Sequence, residues 1–167
     1  MDKLLSGNAV IVGHNIDTDQ IFPGRYLELV DPVEIGRHCL AGVDPAIAAA
    51  FQPGEILVAG RNFGCGSSRE HAAIALSAMG STLVLAESFA RIFFRNAINL
   101  GLPLIICKGI HDKVSVGDRL EVDIEEGLIR NLTKRETYQG ERMGDLALRI
   151  LTAGGIKNIM REGKSLL

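Results

Sequence analysis

Four short apolar runs stand out in the chain: Ala9-Val10-Ile11-Val12, Ile56-Leu57-Val58-Ala59, Thr82-Leu83-Val84-Leu85 and Leu104-Ile105-Ile106-Cys107. Runs that are continuous rather than alternating, and bounded by turn residues, predict strands buried on both faces. Between the last three lie two helical stretches, residues 68–79 closed by Gly80 and residues 88–100 closed by Gly101 with Pro103 beyond. Glycine just past a helix, then proline, is stop chemistry. The order strand, helix, strand, helix, strand predicts parallel strands joined by right-handed crossovers. The pattern then changes. Arg119-Leu120-Glu121-Val122-Asp123-Ile124 alternates polar and apolar positions, and Glu126-Gly127 turns it into Leu128-Ile129-Arg130-Asn131, which predicts a half-exposed antiparallel hairpin. The sheet is therefore mixed and the class α/β. Residues 24–53, punctuated by glycine and proline with weak helical pieces, read as an excursion of the kind that forms functional loops or lids.

At 167 residues the chain fits one domain spanning 1–167, and 47% hydrophobic with 23% charged residues suits a packed core rather than disorder. A net charge of −2 offers no basic field, and few aromatics offer no stacking platform, so nucleic acid is excluded as a partner. The segment Met1-Asp2-Lys3-Leu4-Leu5-Ser6-Gly7 is broken by glycine before it reaches signal-peptide length, and no apolar run is long enough to span a membrane. A cytoplasmic protein without a membrane partner is expected. Cys39, Cys65 and Cys107 are odd in number and far apart, which predicts free thiols in a reducing compartment and matches no cluster-binding spacing.

The chemistry concentrates in Asn62-Phe63-Gly64-Cys65-Gly66-Ser67-Ser68-Arg69-Glu70-His71-Ala72. Gly64 and Gly66 permit a tight turn and close approach to a ligand. Ser67 and Glu70 make an S-x-x-E capping box, which places Ser67 and Ser68 at the first free N–H groups of the helix over 68–79. A cation in that first turn is poorly placed unless an anion is held there, and the arginine fork suits a carboxylate. A serine hydroxyl becomes a base only where helix N–H groups, a guanidinium or a metal stabilise its alkoxide. Cys65 is a competing nucleophile. It needs a base, with His71 nearest in sequence and His14, His38 and His111 reaching it only by folding; the alternative is a small residue filling a tight turn. Asp17-Thr18-Asp19 after the first strand reads as turn chemistry. Arg91 and Arg95 share a helical face beside the apolar stripe of Phe89, Ile92, Phe93 and Ala97, either solvated or facing a partner chain.

Together, the segment above, Asn15-Ile16-Asp17-Thr18-Asp19-Gln20-Ile21 and Ser88-Phe89-Ala90-Arg91-Ile92-Phe93-Phe94-Arg95-Asn96-Ala97 resemble the small subunit of isopropylmalate isomerase (3-isopropylmalate dehydratase), in order and approximate spacing. That subunit is similar to the swivelling C-terminal domain of aconitase, and the resemblance runs from about Gly7 to the C-terminus. It implies a swivelling β/β/α domain with a mixed sheet flanked by helices. It also implies a hydro-lyase of leucine biosynthesis, converting 2-isopropylmalate to 3-isopropylmalate, in which this chain binds no cofactor and a partner large subunit carries a [4Fe-4S] cluster. On the matching positions, the resemblance makes Ser67 the base, Ser68 and Arg69 holders of substrate carboxylate oxygens, and Asp19 a hydrogen-bonding or proton-handling partner. Tyr26-Leu27-Glu28-Leu29, after Pro23-Gly24-Arg25, looks like the family's substrate-selecting segment, which makes Tyr26 and Glu28 binding candidates and Arg25 a candidate carboxylate clamp. Isopropylmalate relatives tend to be apolar there and homoaconitase-like ones carry an arginine. Glu28 is neither, and would repel an additional carboxylate. The alternatives within the class are small subunits of homoaconitase or 2,3-dimethylmalate dehydratase. Outside it they are a self-sufficient Cys65 enzyme and a non-catalytic carboxylate-binding module.

Overall fold

The computed structural model describes residues 2–163, so Met1 and 164–167, part of the expected 1–167 domain, lie outside the described residues. Its organising element is β1 (Leu4–Ile11), which serves two kinds of pairing. Its second half pairs in parallel with β2 (Ile56–Val58), and β3 (Leu83–Ala86) and β4 (Leu104–Ile106) continue that parallel set. Its first half pairs antiparallel with β5 (Arg119–Asp123), setting Leu4 opposite Asp123 and Asn8 opposite Arg119. β6 (Leu128–Asn131) and β7 (Glu136–Gln139) extend the antiparallel side, giving the order β4-β3-β2-β1-β5-β6-β7. The expected mixed α/β sheet is present. β1 begins at Leu4 rather than Ala9 because Ser6 and Asn8 sit on its exposed positions, an alternation suited to the antiparallel side.

The parallel strands read as continuous apolar runs because both their faces are buried. Leu57, Ala59, Val84, Ala86 and Leu104 pack into one core, with Phe63, Leu76, Phe93 and Phe22. Alternate residues Ile56, Val58, Leu83, Leu85 and Ile105 pack into another, with Leu120, Val122, Ile129 and Tyr138 of the antiparallel strands. Residues of one sheet meet in this way only where the sheet curls on itself.

The first core is covered by α4 (His71–Ala78) and α5 (Arg91–Leu100), the latter stopped by Gly101 in the left-handed conformation. Both helices begin three residues later than their sequence patterns suggest, with Glu70 and Ala90 as their N-cap residues. The excursion forms α2 (Pro32–Arg37) and α3 (Pro45–Ala50), each with an aspartate cap, Asp31 or Asp44, ahead of a first-turn proline. Gly36 lets α2 lie on α4: a Cβ there would stand 2.7 Å from the Ala78 carbonyl oxygen. Short helices α1 (Thr18–Ile21) and α6 (Ile110–Lys113) follow β1 and β4, and α7 (Asp145–Thr152) and α8 (Ile156–Arg161) close a small cluster with Ile98 of α5. Among the described residues no helix is long and apolar enough to cross a membrane.

Candidate active site

The loops that leave the carboxyl ends of β1 and β2 run side by side, the place where open parallel sheets build ligand sites. Backbone bonds tie them: Asn15 N–H to the Arg61 carbonyl at 2.8 Å, Gly64 N–H to Ile16 at 2.8 Å and Thr18 N–H to Cys65 at 2.8 Å. Asn15 and Asn62 both adopt left-handed backbone, with φ 55° and 59°, and Asn62 Nδ2 donates to Asn15 Oδ1 at 3.3 Å. Asn62 N–H donates to Ser88 Oγ at 2.7 Å, so the first turn of the segment before α5 is bound to the same loop.

Gly64 and Gly66 do what the sequence suggests, at φ 85° and 99°. The capping box over Ser67 and Glu70 does not form. α4 starts at His71, its N-cap Glu70 makes no side-chain cap, and Ser67 Oγ accepts instead from Arg69 Nε at 2.9 Å. The left-handed glycines keep 64–66 in loop conformation, and the guanidinium, a stronger donor than a neutral amide, approaches the hydroxyl more closely than the Arg69 backbone N–H, which donates to it at 3.4 Å. Of the two expected stabilisers of a Ser67 alkoxide, the guanidinium is in place and the helix N–H groups are not. A capping box appears on the neighbouring loop, where Asp17 Oδ1 accepts from Gln20 N–H at 2.7 Å and Gln20 Oε1 accepts from Asp17 N–H at 2.9 Å. The turn reading of Asp17 therefore holds.

Capping by Asp17 leaves Asp19 free on the exposed side of α1. Its Oδ1 accepts from Gly24 N–H at 2.9 Å. A Cβ at Gly24 would lie 3.5 Å from Asp19 Oδ1 and 3.7 Å from Arg69 Nη1, so Asp19, Gly24 and Arg69 converge, with Ser67 on the far side of the guanidinium. Ser68, exposed, is held through its carbonyl, which accepts from Asn96 Nδ2 of α5 at 3.3 Å. Arg25 follows Gly24 with its guanidinium 4.7 Å over the Tyr26 ring, and Tyr26 stacks on His38 of the excursion with centroids 4.0 Å apart. Glu28 is exposed and makes no ion pair with any described residue.

The structure thus gathers Ser67, Arg69 and Asp19, adjoins Ser68, Arg25 and Tyr26, and leaves Glu28 in solvent. Gly24, Asn62 and Asn96 were missed as site-building residues. Asparagine before Phe-Gly was the available signal, because Asn tolerates left-handed backbone better than other non-glycine residues.

Cys65 is half-buried, and no described histidine hydrogen-bonds its thiol. Burial pushes the Cys39 and Cys107 thiols up, and the two lie in cores on opposite faces of the sheet. Three thiols so divided do not fit an iron–sulfur cluster. His14, Glu87 and His111 have potential ligand atoms within 4.8 Å of one another. Yet His14 Nδ1 accepts from Arg61 N–H at 2.7 Å, which puts the ring's hydrogen on Nε2 and leaves no lone pair for a metal. On α5, Arg91 and Arg95 are exposed beside Ile92 and border a groove with Leu146 and Ile150 of α7.

Comparison with known proteins bears on this geometry. The family model described as the aconitase C-terminal domain matches residues 11–108. The chain is 50% identical over 164 residues to the 3-isopropylmalate dehydratase small subunit 1 of Methanopyrus kandleri, covering 98% of this chain and 96% of that protein. It is 48% identical to the isopropylmalate/citramalate isomerase small subunit of Methanocaldococcus jannaschii, covering 97% and 96% of the two. The crystal structure of 3-isopropylmalate dehydratase from Methanocaldococcus jannaschii superposes with a TM-score of 0.91 at 43% identity, covering 96% of this chain and 95% of that one. Matched by that family model over more than half of its length and by these relatives over nearly all of it, the chain belongs to the family of 3-isopropylmalate dehydratase small subunits, built on the aconitase C-terminal domain.

Proposed function

We propose that this chain is the small subunit of a cytoplasmic hydro-lyase that interconverts 2-isopropylmalate and 3-isopropylmalate by removing and re-adding water, active only with a large subunit. The observation that carries the reading is the bond from Arg69 Nε to Ser67 Oγ at 2.9 Å, beside Asp19. A guanidinium on a serine oxygen favours its alkoxide. Ser67 Oγ takes the proton from the carbon next to a substrate carboxylate, the C–H electron pair forms the alkene, and the hydroxyl leaves the neighbouring carbon. Re-addition reverses these moves with the positions of H and OH exchanged. The outer nitrogens of Arg69, the Ser68 hydroxyl and Arg25 hold carboxylate oxygens. Asp19 fixes the Gly24 turn beside the guanidinium.

The cysteines here do not fit a cluster, and the [4Fe-4S] group belongs on the partner, where it supplies Lewis acidity toward the leaving hydroxyl. The exposed Arg91, Ile92 and Arg95 of α5 suit that partner's surface. Citramalate, in the name of one relative, is a second small hydroxy-dicarboxylate to try. Purified with its large subunit under anaerobic conditions, the complex is expected to turn over 2-isopropylmalate and this chain alone is not. Activity of the isolated chain, or no activity of the complex on any hydroxy-dicarboxylate, would overturn the reading.

A further inference from the structure

Of the ties between the loops after β1 and β2, one is titratable. Gly60 N–H meets the Gly13 carbonyl at 3.1 Å, and Asn15 N–H meets the Arg61 carbonyl at 2.8 Å; between them Arg61 N–H donates to His14 Nδ1 at 2.7 Å. Both backbone groups of Arg61, the residue that opens the Ser67 loop, are therefore held by the loop after β1. The ring is seated closely: a Cβ at Gly60 would stand 2.0 Å from His14 Nδ1, so residue 60 has no room for a side chain while the imidazole is in place.

An imidazole that accepts at Nδ1 is neutral, with its hydrogen on Nε2. Protonation puts a hydrogen on Nδ1, and two N–H groups then face each other across 2.7 Å. An acceptor for the new N–H stands nearby: Glu87 Oε2 is 4.0 Å from Nδ1, while Glu87 Oε1 is occupied by Gly109 N–H at 3.0 Å. The other groups around the ring are His111, centroid 4.8 Å away, and its neighbour Asp112, 3.5 Å from His111 Nδ1. Arg61 itself stands across the tie, 47 positions away in sequence, and the Cys107 thiol senses the charges of both Lys113 and Glu87.

We propose that His14 is a positioning residue of the dehydratase reaction: its neutral ring clamps Arg61 and so fixes the start of the Ser67 loop, and its protonation turns the ring to Glu87 and releases the clamp. This rests on the reading given under Proposed function.

The test follows the bond itself and then turnover. In the full 15N-labelled chain, taken from about pH 8 to about pH 5 where histidines change charge, the Arg61 amide is expected to lose its downfield shift and exchange faster in step with His14 protonation. His14→Asn carries an acceptor oxygen close to the place of Nδ1 that cannot be protonated, and should hold the Arg61 amide unchanged over that range. In the complex with the large subunit, His14→Ala should lower kcat about tenfold at neutral pH, the worth of one lost bond. His14→Asn should restore most of it and flatten the acid limb of the kcat profile, a rescue that a role in folding alone would not give. An Arg61 amide indifferent to His14 titration, or a His14→Ala complex as active as the parent, would overturn the proposal. So would binding of one Co2+ with release of the Arg61 amide, which would make the cluster a metal site. A wild-type complex inactive on every substrate, with the amide response intact, would sink the dehydratase reading and His14's part in it while the titratable clamp stood.

Discussion

Arg69 and Ser67 are two residues apart in an exposed loop, and the guanidinium Nε lies 2.9 Å from the serine oxygen. The contact joins a fixed cation to a hydroxyl that would otherwise be a poor base. Because Ser67 caps no helix, Ser67→Ala is expected to abolish turnover of the complex while changing stability by less than about 0.5 kcal/mol. Arg69→Lys keeps the charge without the fork, and should lower kcat/KM by roughly ten- to a hundredfold. Steady-state kinetics with thermal melts on the same samples check both. Near-normal turnover of Ser67→Ala would remove the base from the scheme.

Two glycines separate the needs of the fold from those of the site. At Gly64, φ is 85° and a Cβ would stand 2.2 Å from Phe93 Cγ, so Gly64→Ala should cost roughly 2–4 kcal/mol from left-handed strain and overpacking, read by urea denaturation. At Gly24 the same methyl meets only Asp19 and Arg69, at 3.5 and 3.7 Å. Gly24→Ala should leave stability within about 0.5 kcal/mol and raise KM more than it lowers kcat.

Glu28 tests substrate choice. If its segment closes over the variable part of the substrate, Glu28→Arg replaces repulsion of an additional carboxylate with a charge-assisted bond. Such a bond is worth about 1.5–3 kcal/mol, so the ratio of kcat/KM for a homoaconitate-type against an isopropylmalate-type substrate should rise by about ten- to a hundredfold. An unchanged ratio would assign selectivity to the large subunit.

Asp118 sets an acid limit to stability far from the site. Burial raises its carboxyl, but Asn131 Nδ2 at 2.8 Å, Ser115 N–H at 2.9 Å and Lys134 at 3.5 Å outweigh that and bring it below its usual value. A pKa lowered by folding means stability that is whole above the unfolded value of about 3.9 and lost as pH falls through the lower folded value. Asp118→Asn should cost about 1–3 kcal/mol at neutral pH, and the gap to wild type should narrow below about pH 4 in thermal melts. A constant gap down to that range would assign the loss to packing alone.

Strands with both faces buried were legible because burial writes itself as unbroken apolar runs, as in Leu57 and Val84. β7 was not: only Tyr138 of its four residues is buried, and an edge strand with one inward side chain leaves no pattern among its polar neighbours. The residues of the site were legible from their motif, but their bonding was not. S-x-x-E describes what Ser67 can cap. It does not register the side chain of Arg69 competing for the same oxygen. The pairing of His14 with Arg61, 47 positions apart, depends on β1 and β2 lying in register, which no local pattern records.

The loop after β2 is held unevenly, and this bears on the entropy of assembly. Residues 61–65 are already ordered by bonds to the loop after β1, whereas Gly66, Ser67 and Ser68 stand exposed beyond the last of them. Fixing a residue costs about 1–2 kcal/mol of conformational entropy. A partner that closes over the site therefore meets that charge at only a few positions, and most of its contact energy remains available as affinity. Loosening Asn15, Ile16 or Thr18 would add upstream residues to those the partner must order, weakening the association of the subunits even though none of the three hydrogen-bonds the serine.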